Sequence, residues 1–206
     1  MNLNGTHGSL MLISKDILEE VGFDPKRVLH IGGHTGEEQH LYDSLGVQFT
    51  TWVEALPDLV THMRNKFRTR KDITVVRALI SDKIEMLPFY VTNNLASSSI
   101  LDLGTHETSH PKVHVTHEKI IQSTTIKELG LNDFDTFNLD IQGAELRALK
   151  GADLTNVKWI YTEVNTEEVY RDCALMWQID EFLHDFKRIE TKLTKYCWGD
   201  ALYKRI

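Results

Sequence analysis

Val28-Leu29-His30-Ile31-Gly32-Gly33-His34-Thr35-Gly36-Glu37 reads as a short apolar strand, a glycine-rich turn and the opening of a helix. Glycines at such a turn permit positive φ and let a ligand approach the backbone closely. The next strand, Gln48 to Val53, leads into Trp52-Val53-Glu54-Ala55 and sets an acid about twenty residues beyond the glycines. A carboxylate at the end of a second strand can hold both hydroxyls of an adenosine ribose. Either piece alone also suits a plain strand–helix turn with a surface glutamate. Together, at this spacing, they favour a nucleoside-type cofactor. Gly32, Gly33 and Gly36 follow at intervals of one and three, not in the Gly-x-Gly-x-x-Gly order of dinucleotide sites. That places a nicotinamide-dependent oxidoreductase behind.

Working outward, strands and helices alternate along the chain. Ser14 to Val21 is predicted helical, with Ser14 as N-cap and Gly22 as the stop. Arg27 to Ile31 is a strand, Glu37 to Leu45 a helix, and Leu56 to Lys66 a helix with Pro57 in its first turn. Ile73 to Ile80, Met86 to Thr92 and Ile120 to Thr125 are strands, and Ile126 to Leu129 is a short helix. Thr136 to Ile141 is a strand, Ala144 to Lys150 a helix, Lys158 to Val164 a buried strand, and Leu175 to Phe186 an amphipathic helix. Lys187 to Leu193 and Ala201 to Ile206 form a closing strand pair joined through Trp198-Gly199-Asp200. Such alternation implies a doubly wound, mainly parallel sheet covered on both faces, with an antiparallel pair at one edge. No repeat or linker divides the chain, so residues 1–206 are expected to form one domain, which could equally be a piece of a larger protein.

Composition narrows the function classes. Hydrophobic residues at 41% and charged residues at 26% are a globular balance. A formal charge of −7 disfavours a nucleic-acid polymer as substrate. The short basic run Lys66, Arg68, Arg70 and Lys71 reads as a solvated helix end. No apolar run reaches the roughly 20 residues that cross a bilayer. The N-terminal stretch lacks a signal peptide's basic start and apolar core. With only Cys173 and Cys197, a reducing, cytoplasmic setting is expected.

The most specific stretch is Asp135-Thr136-Phe137-Asn138-Leu139-Asp140-Ile141-Gln142-Gly143-Ala144-Glu145, running on through Leu146-Arg147-Ala148-Leu149-Lys150-Gly151-Ala152. An apolar strand ends on Asp140, Gly143 makes a turn, and Glu145 opens a helix, where a carboxylate suits the backbone dipole. Asp140 beside buried neighbours needs a partner or a task.

This stretch resembles the FkbM-type family of class I methyltransferases, whose hallmark is an Asp-x-Glu-Gly-x-Glu run followed by a Leu-x-Gly-Ala helix end. Further carriers are the glycine turn, Trp52-Val53-Glu54-Ala55, Ser97-Ser98-Ser99-Ile100-Leu101, Thr162-Glu163-Val164-Asn165 and Trp198-Gly199-Asp200-Ala201-Leu202-Tyr203. The resemblance runs from about His30 to Arg205. It implies a seven-stranded Rossmann-like fold, S-adenosyl-L-methionine over the carboxyl edge of the sheet, and methylation of a hydroxyl oxygen on a sugar, glycan or similar small acceptor. Gly32, Gly33 and Gly36, with His30 and His34 in the same turn, would cradle the methionine moiety and ribose. Glu54 with Ala55 would hold the ribose hydroxyls, and Ala78 with Leu79 would flank the adenine. Asp140 would sit near the sulfonium and the incoming oxygen. The chain departs from the pattern twice. His30 stands where the family has an acid, so only a hydrogen bond to the cofactor's amino group remains. Gln142 stands where the family has Glu, and so cannot carry charge or act as base.

An alcohol is a poor nucleophile at neutral pH, so a base or a metal would assist. Asp140, Glu163 and Asn165 are the candidates. An oxygen-rich set of this kind could hold Mg2+ or another divalent cation, or could simply fix loops and substrate. Ser97-Ser98-Ser99 would contact the acceptor or cap the turn after Asn93-Asn94. His106, His110, His114 and His117 have helical spacing that invites zinc, but Pro111 argues against the helix, and a lid or solvated loop is preferred. A reading from another class, kept alive by His30 and Gln142, is a non-catalytic cofactor-binding module of a glycan-assembly protein.

Overall fold

In the computed structural model, residues 11–206 are described; the reading of the N-terminal stretch as free of a signal peptide rests in part on residues 1–10, outside that range. The elements in order are α1 (Lys15–Glu20), β1 (Arg27–Ile31), α2 (Gln39–Ser44), β2 (Phe49–Glu54), α3 (Pro57–Lys66), β3 (Ile73–Arg77), β4 (Leu79–Ile80) and β5 (Met86–Thr92). They continue with α4 (His106–Ser109), β6 (Val115–Thr124), β7 (Thr136–Leu139), α5 (Glu145–Lys150), β8 (Trp159–Asn165), α6 (Met176–Phe182), β9 (Phe186–Leu193) and β10 (Trp198–Arg205). Seven strands form one sheet in the order β3-β2-β1-β7-β8-β10-β9. The first five run parallel, and β10 pairs antiparallel with both β8 and β9. The expected doubly wound, mainly parallel sheet with a closing antiparallel pair is therefore present. No helix among the described residues is long and apolar enough to cross a membrane.

Period-two alternation divides the two faces of this sheet. On one face, Leu29, Leu139, Ile160 and Val164 pack with Ala148 and Leu149 of α5 and Ile179 of α6. On the other, Val28, Trp52, Trp159 and Leu202 meet Leu18 of α1, Tyr42 of α2 and Met63 of α3. Fully burying one such side chain contributes roughly 1.5–3 kcal/mol. Ser14 caps α1 by accepting from the Ile17 N–H, and Pro57 occupies the first turn of α3.

The sequence reading needs four corrections. Ile73 to Ile80 is not one strand: Ala78 interrupts it, β3 stays on the main sheet, and β4 crosses to a second sheet of order β4-β6-β5. β6 begins at Val115, five residues before the expected Ile120; its outer face is exposed, so the apolar alternation that marks a strand is missing there. Ile126 to Leu129 is a turn closed by the Leu131 N–H to the Ile126 carbonyl, not a helix. Trp198-Gly199-Asp200 lies inside β10 rather than joining the two strands. Gly199 marks close approach, since a Cβ there would come within 2.1 Å of the Lys192 carbonyl oxygen.

The small sheet leans over the carboxyl ends of the main strands. Leu79, Leu87, Phe89 and Val91 pack with Leu56, Leu59 and Ala144, forming the outer wall of a cleft. That is the edge where ligands bind in open α/β sheets.

Candidate cofactor cleft

The cleft runs along the carboxyl ends of β1, β2 and β7 and holds about 570 Å3 of empty space including its open mouth. Of the residues expected at a cofactor, Gly32, His34, Glu54, Ala55, Ala78, Leu79 and Asp140 all line it. Gly33 and Gly36 are buried below, where they meet Met63 and Phe67. Gly32 adopts φ +92°, and a Cβ there would stand 1.8 Å from the Asp140 carbonyl oxygen. No other residue fits where the two strand ends are drawn so close.

Glu54 ends β2 and is buried. One of its oxygens accepts from the His34 N–H at 3.0 Å and the other from the Leu56 N–H at 2.8 Å. Burial raises its pKa, against the pull of those N–H groups. An ionised carboxylate has about four acceptor sites, so two backbone bonds leave capacity for ligand hydroxyls while fixing the group.

His34, at φ +42°, bonds Glu37 through Nδ1 at 3.0 Å. Burial lowers its pKa, but Glu37, Glu54 and Asp140 outweigh it and the net shift is upward. Glu37 opposes its own burial through His34 and Thr35 and falls to about 2. His30 does not reach the cleft. It is 2% exposed on the inner face, stacked on Trp52 at 4.3 Å, with Nδ1 2.8 Å from the Tyr42 hydroxyl. Burial drives its pKa down to about 3, so the imidazole is neutral at physiological pH.

The turn after β7 is held by side chains. Gln142, at φ +58°, donates from Nε2 to Asp140 at 2.6 Å and to Glu163 at 2.9 Å, and its Oε1 accepts from the Tyr170 hydroxyl at 2.6 Å. The Gln142 carbonyl accepts from the Ser99 hydroxyl at 2.8 Å. Glu145 folds back to accept the Ile141 and Gly143 N–H groups, and burial pushes its pKa to about 7. Asp140 is half-buried at the cleft floor. Glu163 is fully enclosed; burial, then Asp140, Glu145 and Asp200, raise its pKa well above the usual carboxylate range.

Asp140 and Glu163 thus come together, but through an amide. The Gln142 nitrogen stands between the two carboxylates where a bridging cation would sit, and it brings N–H donors rather than an oxygen ligand. Asn165, 1% exposed, has no partner among the described residues for either side-chain polar atom. Among the described residues no group of three or more His, Cys, Asp or Glu is placed to hold a metal. The site does not fit the divalent cation that the sequence suggested.

The four histidines do not share a helical face. His106 opens α4, His110 follows it, and His117 lies on β6. His106 packs on His110 at 4.7 Å and Tyr170 at 5.4 Å, and burial, then His110, lower its pKa to about 4. Of the three serines, Ser98 lines the cleft and accepts from the Thr92 N–H, Ser97 accepts from Asn94, and Ser99 ties the insert to the Gln142 turn. Sequence reasoning missed Tyr170 and Phe89: one lies 28 residues from the Gln142 it bonds, the other on a separate sheet. The one signal for the Gln142 hub was its departure from the family's Glu.

Comparison with curated proteins finds no match. Among solved structures, the chain is similar to the methyltransferase FkbM of Methylobacillus flagellatus KT, with TM-score 0.56 and 15% identity over 88% of this chain. The chain spans 44% of the length of that structure. It is also similar to the ribosomal protein L11 methylase of Lactobacillus delbrueckii subsp. bulgaricus, with TM-score 0.52 and 10% identity over 91% of this chain and 74% of that one. At such identities the likeness speaks to the fold. The sequence profile of the methyltransferase FkbM domain matches residues 30–196, taking in the glycine turn, Glu54, Asp140 and Glu163, and the chain belongs to that family.

Proposed function

We propose that this chain is an S-adenosylmethionine-dependent O-methyltransferase acting on a hydroxyl of a sugar, glycan or similar small polar acceptor. The observation that carries the reading is Glu54: a buried carboxylate, fixed by two backbone N–H groups, in a cleft that also holds Gly32, Ala78, Leu79 and Asp140. Glu54 suits the ribose hydroxyls, and the apolar pair Ala78 and Leu79 suits a flat base.

The cofactor supplies an electrophilic methyl group on sulfur; transfer breaks the sulfur–carbon bond and forms an oxygen–carbon bond, and the hydroxyl proton must leave. Asp140 lines the cleft and is half-buried there, which supports assigning it the role of accepting that proton. The Gln142 amide, 2.6 Å away, fixes the carboxylate's orientation. Glu163, its pKa raised by burial, is the weaker candidate at the reacting oxygen. Ser98 in the cleft wall offers a hydroxyl for acceptor orientation. A net charge of −7 supports a neutral polar acceptor over a nucleic acid.

Calorimetry with S-adenosylmethionine and with NAD+ tests the cofactor. Micromolar S-adenosylmethionine binding that weakens about tenfold or more in Glu54→Ala supports it. Binding of NAD+ instead, or of neither, overturns it. Cofactor binding with no methyl transfer to any hydroxylated acceptor would support the non-catalytic module.

A further inference from the structure

A small cavity lies beside the main cleft, with Asp140 in the wall of both. His30, Glu38, Asn138, Asp140, Glu163 and Asp200 line it, and among the described residues no Lys or Arg does. Three of its four carboxyls are engaged by the protein. Asp200 accepts from the Leu12 N–H at 2.6 Å and from the Tyr161 hydroxyl, while Asp140 and Glu163 share the Gln142 amide.

Glu38 differs. It is 5% exposed and stands at the N-cap of α2, yet its side chain makes no capping bond. Among the described residues, only its own backbone N–H reaches the carboxylate. Lys66 is the cation that bears on it, but the Lys66 ammonium is committed to the Thr35 and Gly36 carbonyls at 2.9 and 2.8 Å. His30, neutral and bonded to Tyr42, supplies no charge. A buried carboxylate held only by its own N–H is costly, and a ligand cation would relieve the cost.

We infer that Glu38 receives the α-ammonium of the cofactor's amino-acid end. The assignment rests on the S-adenosylmethionine reading. A ligand held by Glu54 at one end of the cleft and passing Asp140 at the other brings its amino-acid end to this cavity. An ammonium offers three donors on a compact cation, which suits an enclosed site rich in acceptors. The ligand's own carboxylate is repelled from the same walls.

The test compares S-adenosylhomocysteine with its desamino analogue by calorimetry, on the wild type, Glu38→Gln and Glu38→Asp. The wild type should favour the amino ligand by about tenfold or more. Glu38→Gln should bind the two within about twofold, with desamino affinity unchanged, which also reports that the variant is folded. Glu38→Asp keeps the charge but withdraws it, and should retain part of the preference. A wild type with no preference, or a preference unchanged in both variants, overturns the assignment and leaves the cofactor reading standing. A wild type that binds neither ligand overturns both.

Discussion

Two turns close neighbouring strands at the same edge of the sheet, and they are built on opposite plans. After β1 the turn is held by backbone: Gly32 and Gly33 donate to the Val53 carbonyl, and Lys66 anchors the Thr35 and Gly36 carbonyls from outside. After β7 the turn is held by side chains, with Gln142 at the centre of Asp140, Glu163 and Tyr170, and Glu145 bonded back to its own loop. The first plan leaves room beside the chain for a ligand. The second spends its polar groups on holding one carboxylate in one place, which is what preorganisation requires.

The largest expected difference between the two is at Gly32. Gly32→Ala combines a positive φ with a 1.8 Å clash against the Asp140 carbonyl, and should cost about 4 kcal/mol or more in urea unfolding. A loss near 1 kcal/mol would mean that the two strand ends are less tightly joined. Next comes Gln142→Ala, which leaves the Tyr170 hydroxyl only the longer bond to the Ser97 carbonyl at 3.4 Å and leaves Asp140 and Glu163 facing each other; about 2–3 kcal/mol is expected. Gln142→Glu should be milder in acid and worse in base, since a third carboxylate must either take up a proton or repel its neighbours.

A smaller effect is on pH dependence. Burial raises Asp200 and Glu145 to about 7, above their unfolded values, so at these two groups the folded state binds more protons than the unfolded one between about pH 4 and 7. Their contribution is full below that window and is lost as pH rises through about 7. The buried His30 and His106, lowered to about 3 and 4, pull the other way over the same range, so the test is the difference: Asp200→Asn should gain stability relative to the wild type as pH rises through the window, by on the order of 1 kcal/mol. A slope unchanged by that substitution would remove Asp200 from the account. Smallest of all, Lys66→Ala removes exposed contacts to the glycine turn and should cost about 0.5 kcal/mol.

The same contrast explains what the sequence made legible. The glycine turn, Glu54 and the apolar strands are local patterns that need only neighbours in the chain, and apart from Ile73 to Ile80, split between two sheets, the apolar strands lie where those patterns set them. The sheet order follows from alternation, and its closing strands from the absence of a helix between them. β6 escaped because an exposed strand such as Val115–Thr124 has no apolar stripe to announce it. The Gln142 hub escaped because two of its side chain's three partners, Glu163 and Tyr170, lie 21 and 28 residues away. Glu38 escaped because next to Glu37 it reads as one of two acids at a helix start. Burial separates them: Glu38 is enclosed, while Glu37 is half-buried and paired with His34.

The placement of β10 has a consequence for how the molecule assembles. β9 is made before β10, yet β10 lies between β8 and β9, so β9 can join the sheet only through its successor. The two strands adjoin through Thr194 to Cys197, a connection short enough for a hairpin to form within microseconds as a local unit. Docking on β8 then brings Asp200 to the Tyr161 hydroxyl and the Leu12 N–H, a contact spanning 188 residues. Long-range closure of that kind is the slow step in such topologies. The wall of the acid-lined cavity is thus completed late, and the ability to bind ligand there should emerge after most of the sheet has formed.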